Sequence, residues 1–84
     1  MDRYLVVSPH TPQECEKIVK QVEAMGYITH FDWGCKDGDH TAWAIIEAET
    51  KSEALLSVPS TVRHTARAVK IVKFGPDDAG KHLK

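Results

Sequence analysis

Little in this 84-residue sequence points to nucleic acids, membranes or secretion. The formal net charge is only -1, so the chain lacks the basic surplus that nucleic acids and anionic membranes attract. Its longest apolar run, residues 42–46, is far shorter than a membrane span. Two cysteines are too few for the disulfide framework of a small secreted domain. We therefore expect a cytoplasmic domain with no nucleic-acid or membrane partner.

The familiar local motifs of enzymes are also missing. The sequence has no Gly-rich phosphate loop, no nucleophile elbow and no dinucleotide fingerprint. The first residues, Met1-Asp2-Arg3, precede only a short apolar stretch, which does not predict a signal peptide. Histidine, in contrast, is well represented, with five residues that could bind metal ions or transfer protons.

Caps, turns and apolar periodicity predict four strands and two helices. Two capping boxes, Thr11 with Glu14 and Thr50 with Glu53, mark the helix starts. An apolar stripe runs along the first helix, through Cys15, Ile18, Val19, Val22 and Met25. The predicted strands cover residues 3–8, 27–35, 40–49 and 67–74, and the helical segments cover residues 11–26, 50–57 and 59–65.

A tight turn at Asp37-Gly38 is predicted to join the second and third strands into a hairpin. In this hairpin Cys35 would lie directly opposite His40. Alternation then divides the hairpin residues between two faces. The face predicted to pack on the helices carries Phe31, Trp33, Cys35, His40, Ala42, Ala44, Ile46 and Ala48. The outer face carries His30, Asp32, Gly34, Thr41, Trp43, Ile45 and Glu47.

The order of elements, β-α-β-β-α-β, is typical of the ferredoxin-like α+β sandwich. Right-handed crossovers predict a four-stranded antiparallel sheet of order 4-1-3-2 with both helices on one face. We expect a single ferredoxin-like domain over residues 1–75, followed by a short C-terminal helix or tail over residues 76–84.

Several stretches of the chain resemble a known group of proteins. These stretches are Ser8-Pro9-His10-Thr11-Pro12, Phe31-Asp32-Trp33-Gly34-Cys35, Gly38-Asp39-His40-Thr41 and Lys70-Ile71-Val72-Lys73-Phe74. They are similar to small uncharacterised bacterial proteins of the ferredoxin-like dimeric α/β-barrel group, whose relatives include muconolactone-isomerase-like enzymes, haem-handling monooxygenases and a nickel-binding branch. The resemblance spans residues 4–74 and implies the fold and a homodimer formed sheet to sheet. It implies no catalytic or ligand residue.

The predicted topology brings four potential metal ligands to one end of the sheet. His10 follows the first strand, Cys15 begins the first helix, and Cys35 and His40 flank the hairpin turn, with His64 as a reserve ligand. Imidazole and thiolate ligands suit zinc, nickel, copper or iron. We therefore predict a transition-metal site, with zinc, nickel or copper as the ion, formed by His10, Cys15, Cys35 and His40. Two alternatives stay open, because the cysteines could be small core residues or could form a disulfide.

The outer sheet face supports two further hypotheses. His30 and Asp32 point the same way from one strand, and Trp43 lies opposite Asp32. This arrangement could form an acid–base pocket for a small-molecule ligand, as in an isomerase-like enzyme. Trp43 and Ile45 also leave apolar area that a second copy would cover. We therefore expect a homodimer, whose role could be purely structural.

Overall fold

A computed structural model describes residues 1–79 of the chain, which form an α+β domain. Four strands make one antiparallel sheet, and they are β1 (Asp2–Pro9), β2 (Phe31–Trp33), β3 (Thr41–Ala48) and β4 (Arg67–Ile71). The two helices are α1 (Cys15–Ala24) and the short α2 (Lys51–Ala54). The predicted C-terminal segment begins as a 3-10 turn at Pro76–Asp78, and its residues 80–84 lie outside the described residues. No helix within residues 1–79 has the length and apolar character that crossing a membrane requires.

The position of β1 in the sheet decides which chain segments become neighbours. All eight residues of β1 pair antiparallel with β3 on one side, and five of them pair with β4 on the other. The strand order is β2-β3-β1-β4, which is 4-1-3-2 when it is counted from the β4 edge. The end of β1 therefore lies beside the start of β3, where the N–H of His10 donates a hydrogen bond to the carbonyl of His40 (2.9 Å).

The core lies between one face of the sheet and the helices, as the alternation of apolar residues predicts. Alternate residues of β3 are buried, whereas Ile45 between them is 50% exposed. Helix α1 contributes Ile18 and Val22 to the core. The other buried apolar residues are Tyr4, Val6, Phe31, Ala42, Ala44, Ile46, Ala48, Ala54, Val58, Val62 and Ala68. The assignment of residues to the two faces of β3 is confirmed.

The first capping box forms, but α1 starts later than predicted. The N–H of Glu14 donates to Oγ1 of Thr11 (3.2 Å), and the N–H of Thr11 donates to the Glu14 carboxylate (2.9 Å). These contacts close a turn, and the regular helix begins only at Cys15. Gly26 follows the helix with a φ of +85°, as predicted for its end. Met25 lies beyond the last regular turn and is 38% exposed, so its predicted place on the buried stripe is wrong.

The second helical region follows the prediction closely. The N–H of Glu53 donates to Oγ1 of Thr50 (3.1 Å), which caps α2. A 3-10 turn at Leu55–Ser57 continues the helix up to the segment that contains Pro59, and another turn forms at Arg63–Thr65. Proline has no N–H to donate to a continuing helix, which explains the break.

Strand β2 is much shorter than predicted. It covers only Phe31–Trp33 of the predicted residues 27–35, because 3-10 turns form on both sides of it, at Ile28–His30 and Cys35–Asp37. In the second turn, the N–H of Asp37 bonds to the carbonyl of Gly34 (2.9 Å), so a local hydrogen bond replaces a bond of the sheet.

The predicted tight turn at Asp37-Gly38 is also wrong. A type I′ turn needs two residues with positive φ, and only Gly38 has one (+86°). Gly38 instead ends the 3-10 turn, and its N–H bonds to the carbonyl of Cys35 (3.1 Å). The ladder between β2 and β3 ends at the pair Trp33–Ala42. Cys35 is therefore not paired with His40 as a strand residue.

Strand β4 ends at Ile71 instead of at residue 74 as predicted. The register explains the difference, because Ile71 pairs with Arg3 and β1 begins only one residue earlier, at Asp2. Asp2 is the one strand residue of β1 beyond this pair, so the ladder could not extend to residue 74. Val72 and Phe74 consequently lie outside the sheet and are 66% and 61% exposed.

Candidate metal centre

Four side chains from three segments of the chain meet where β1 ends and β3 begins. His10 follows β1, Cys15 is the first residue of α1, Cys35 opens the 3-10 turn after β2, and His40 precedes β3. All four residues are half-buried. One donor atom of each residue lies within 4.8 Å of the donor atoms of the other three. The four predicted ligands are thus brought together, and the group could hold a metal ion.

Cys35 is at the centre of the shortest contacts in this group. Its Sγ atom lies 3.2 Å from Sγ of Cys15 and 3.3 Å from Nε2 of His10. Around a tetrahedral zinc ion, two sulfur ligands would lie about 3.8 Å apart, and a sulfur and a nitrogen about 3.5 Å apart. The two observed distances therefore fall short of these tetrahedral values by only about 0.6 Å and about 0.2 Å.

The two histidine rings complete the group. The rings of His10 and His40 lie edge to face, with centroids 5.8 Å apart. The Nδ1 atom of each ring is buried and has no hydrogen-bond partner among residues 1–79. Buried polar atoms in proteins are nearly always partnered. In His10 the atom that faces Cys35 is Nε2, so the unpartnered atom that a metal ion in this group could bind is Nδ1 of His40.

Burial shifts the ionisation of two members of the group. Burial lowers the pKa of His10, the backbone of Ser8 opposes this shift, and the neighbouring His40 adds to it. Neutral imidazole, the form that binds metal ions, is therefore favoured. Burial and the hydrogen bond from Cys15 raise the pKa of the Cys35 thiol to about 11. A metal ion that binds Cys35 at neutral pH must displace a proton.

Gly34 shapes the loop that carries Cys35. Its N–H donates to the carbonyl of Thr41 (3.0 Å), and its carbonyl accepts a hydrogen bond from the N–H of Asp39 (3.1 Å). A Cβ atom on Gly34 would lie 2.6 Å from the backbone oxygen of Asp39 and 3.0 Å from the ring of Trp43. The close packing of these groups leaves room only for glycine.

Trp33 and Gly34 are the two residues beside the group that the sequence analysis did not assign to it. The ring of Trp33 packs edge to face on His10, with centroids 6.1 Å apart. Alternation already placed Trp33 on the same face as Cys35, and this pattern could have identified it. No pattern in the sequence indicates the close approach at Gly34, because that approach arises from the loop conformation.

The other predicted site lies on the outer face of the sheet. His30, Asp32 and Trp43 line one open depression of about 340 Å³, together with Leu5, Ala44 and Ile45. An imidazole, a carboxylate and an aromatic ring are thus brought to one concave surface, as the alternation predicted. This surface is separate from the group of four metal-binding donors, which contains neither His30 nor Asp32.

His30 and His64 do not join the metal-binding group. His64, the reserve ligand, is exposed and lies outside the one group of donors found within residues 1–79. His82 lies outside the described residues. The candidate centre therefore consists of two histidines and two cysteines.

Comparison with known proteins assigns no family to this chain. The geometry of the four donors and the fold that carries them are therefore the grounds for a functional assignment. No protein-family model matches the chain, and no curated protein or solved structure matches it either.

Proposed function

We propose that this protein binds one zinc ion through His10, Cys15, Cys35 and His40. The observation that carries the proposal is the meeting of four donor atoms, from three separate segments, within 4.8 Å of one another. Two thiolates and two imidazoles form a common ligand set of tetrahedral structural zinc sites. Nickel and copper accept the same ligand types, so they are the competing outcomes of the test.

Packing of small core residues explains this group less well than metal binding does. Both cysteines are half-buried, and neither belongs to the buried apolar core. A buried imidazole nitrogen without a partner costs about 1–3 kcal/mol, and His10 and His40 each have one. An ion bound through Nδ1 of His40 would offset this cost for that ring, whereas His10 faces Cys35 through Nε2. A disulfide is the other alternative, but the two cysteines are free thiols in this structure.

Four protein ligands would complete the coordination shell, which is typical of a structural zinc site. The ion would link β1, α1 and the loop between β2 and β3, because each of these segments contributes a ligand. A cytoplasmic location, which we also propose, would keep the two thiols reduced and available. The metal would then stabilise the first half of the chain in place of a larger core.

Metal analysis of protein purified without a histidine tag tests this proposal. We expect about one zinc ion per chain, as for a mononuclear structural site. Cys35→Ser and His40→Ala should each lose most of the bound metal after dialysis, because each removes one of four ligands. His64→Ala is the matched control, since it removes an imidazole outside the group. Wild-type protein that binds neither zinc, nickel nor copper would contradict the proposal.

The Gly34→Ala substitution should weaken zinc binding although Gly34 is not a ligand. The added Cβ atom would meet the backbone oxygen of Asp39 at 2.6 Å, so the loop that carries Cys35 must shift. We expect the free energy of zinc binding to become less favourable by about 1–3 kcal/mol, which is the usual cost of forcing extra atoms into a packed region. Gly75→Ala is the control, because its φ of -96° suits alanine and its Cβ atom would meet only Oδ2 of Asp78, at 3.9 Å. Equal zinc dissociation constants for the two variants in a competition titration would show that the loop position does not matter.

We also propose that the domain is ferredoxin-like and that it forms a homodimer through the outer face of its sheet. The β-α-β-β-α-β order of elements and the position of β1 between β3 and β4 support the fold assignment. The bacterial dimeric α/β-barrel group is the relative that we propose for it. The dimer is supported by the arrangement of residues on the outer face.

This face has an apolar centre and an equal number of positive and negative side chains. The cross-strand register arranges its residues in three rows across the sheet. Counted from β4 towards β2, the first row contains Arg67, Val7, Trp43 and Asp32. The second row contains Val69, Leu5 and Ile45, and the third row contains Ile71, Arg3 and Glu47. Two of the apolar members, Ile45 (50% exposed) and Val69 (37% exposed), are exposed in the single chain, and the others are half-buried.

A two-fold axis makes this pattern self-complementary. If the axis runs parallel to the strands between β1 and β3, it exchanges β1 with β3 and β4 with β2. Arg67 of one copy then lies over Asp32 of the partner subunit, and Arg3 lies over Glu47 of the partner subunit. Each contact occurs twice in such a dimer. A second copy would therefore cover the apolar centre and pair all four charges.

A second candidate function is an acid–base pocket on the same face. The observation that favours it is the depression of about 340 Å³ that His30, Asp32 and Trp43 line together. An imidazole and a carboxylate in such a depression could transfer a proton within a small-molecule substrate. The proposed dimer would cover this depression. A dimer structure that leaves no void there would exclude the enzyme.

A further inference from the structure

The two thiols of the proposed metal site are also placed for reaction with each other. Their sulfur atoms lie 3.2 Å apart, and a disulfide bond would bring them to about 2.05 Å. Cys15 is the first residue of α1 and Cys35 lies in a 3-10 turn, so neither is held within the ladder of the sheet. The sulfur atoms need to approach by only about 1.2 Å, which is within the reach of side-chain rotation.

A cleft opens beside both cysteines. It has a volume of about 540 Å³, and its lining includes both cysteines together with apolar side chains such as Phe31 and Trp33. Small-molecule sites in proteins occupy about 300–1,000 Å³ and are mostly apolar, so the cleft has the size and the lining of such a site. An apolar reactant that enters it would meet the thiols directly.

We propose that Cys15 and Cys35 form a redox modification site, at which a small apolar disulfide converts the two thiols into an intrachain disulfide and releases the metal ion. The metal-release step rests on the proposed function, whereas the thiol step does not. In the cytoplasm, disulfides of this kind are usually transient and serve redox sensing. Metal binding would then depend on the concentration of small disulfides around the protein.

The reaction has two balanced steps. One cysteine sulfur, as the thiolate, attacks a sulfur of the small disulfide, so that a mixed disulfide forms and one small thiolate leaves. The second cysteine sulfur then attacks the first, the intrachain bond forms, and the second small thiolate leaves. The protein loses two electrons, the small disulfide gains them, and the protons of the cysteines end on the two small thiols.

Disulfide formation would remove half of the ligand set. A disulfide offers no thiolate, and only His10 and His40 would remain to hold the ion. The second step is intramolecular, and its reacting sulfurs lie 3.2 Å apart before the reaction starts. The mixed disulfide should therefore not accumulate.

Dithiodipyridine, an aromatic disulfide, is a suitable probe, because it releases a coloured thiol at each step. With metal-free wild-type protein, one equivalent should release about two equivalents of that thiol, and the chain should carry no adduct. Peptide mapping should find Cys15 linked to Cys35. Cys15→Ser and Cys35→Ser should each stop at the mixed disulfide, with one adduct per chain. His64→Ala, which leaves both thiols in place and changes an exposed imidazole outside the group, should behave like the wild type.

The zinc-loaded protein tests the second half of the inference. A chromogenic chelator should detect about one zinc ion released for each intrachain disulfide formed. Adducts that persist on the wild type, or disulfides between chains, would overturn the inference even if zinc binds. Zinc that stays bound after the disulfide forms would overturn it as well. If the disulfide forms in a protein that never binds zinc, the result would contradict the proposed function but would support the reaction between Cys15 and Cys35.

Discussion

Zinc should raise the thermal unfolding midpoint of the wild-type protein by about 10–20 °C when free zinc exceeds the dissociation constant about a hundredfold. An ion that binds only the folded chain stabilises it by about 2.7 kcal/mol at this excess. In a domain of this size, each kcal/mol raises the midpoint by about 4–8 °C. Circular dichroism during heating, with zinc, nickel and copper in parallel, measures the shift.

Three variants show whether the shift comes from the proposed ligands. Cys35→Ala and His40→Ala should lose most of it, whereas His30→Ala, on the outer face, should keep it. The shift should also shrink as the pH falls, because the pKa of the Cys35 thiol is raised to about 11 and protons compete with the metal for it. No shift with any of the three metals, or an equal loss in His30→Ala, would show that the site is assigned wrongly.

Trp43→Glu should convert the proposed homodimer into monomers. Trp43 is half-buried on the outer face, and in the dimer it would lie over Val7 of the partner subunit. An unpaired charge buried in an interface costs several kcal/mol, and two-fold symmetry introduces it twice. We expect the dimer dissociation constant to rise by at least about a thousandfold. Sedimentation velocity over a concentration series measures this change.

Two further variants make the dimer experiment decisive. Ile45→Glu should have the same effect and does not disturb the contact between Trp43 and Gly34. Leu56→Glu adds the same charge to an exposed apolar residue (57% exposed) in the helical layer, so it should leave the dimer intact. Wild-type protein that sediments as a monomer at about 100 μM would contradict the proposal, because stable sheet-to-sheet dimers form at lower concentrations.

The elements with strong local patterns were predictable from the sequence. Strand β3 is an uninterrupted extended segment whose side chains point alternately to the two faces of the sheet, and one face of it is buried as predicted. The caps at Thr11 and Thr50 were predictable because each involves residues only three positions apart. The meeting of His10 with Cys15 followed from the order of elements, since the end of β1 must lie near the start of α1.

The loop between β2 and β3 could not be predicted in the same way. Asp37-Gly38 fits a tight hairpin turn, but a glycine with positive φ also ends a 3-10 turn, and the sequence does not distinguish these uses. The choice depends on the contact of Gly34 with Asp39 and Trp43, which exists only after the sheet has formed. Cys35 therefore reaches the metal-binding group from a turn and not from a strand.

The short length of β2 also affects how the sheet meets other chains. An exposed edge strand offers free N–H and C=O groups that can pair with a strand of another molecule and start aggregation. With three residues between two 3-10 turns, β2 offers very few such groups. At the opposite edge, β4 has five residues and carries the charges of Arg67 and Lys70. Both edges therefore resist the addition of further strands, and only the flat face of the sheet is left for a specific contact.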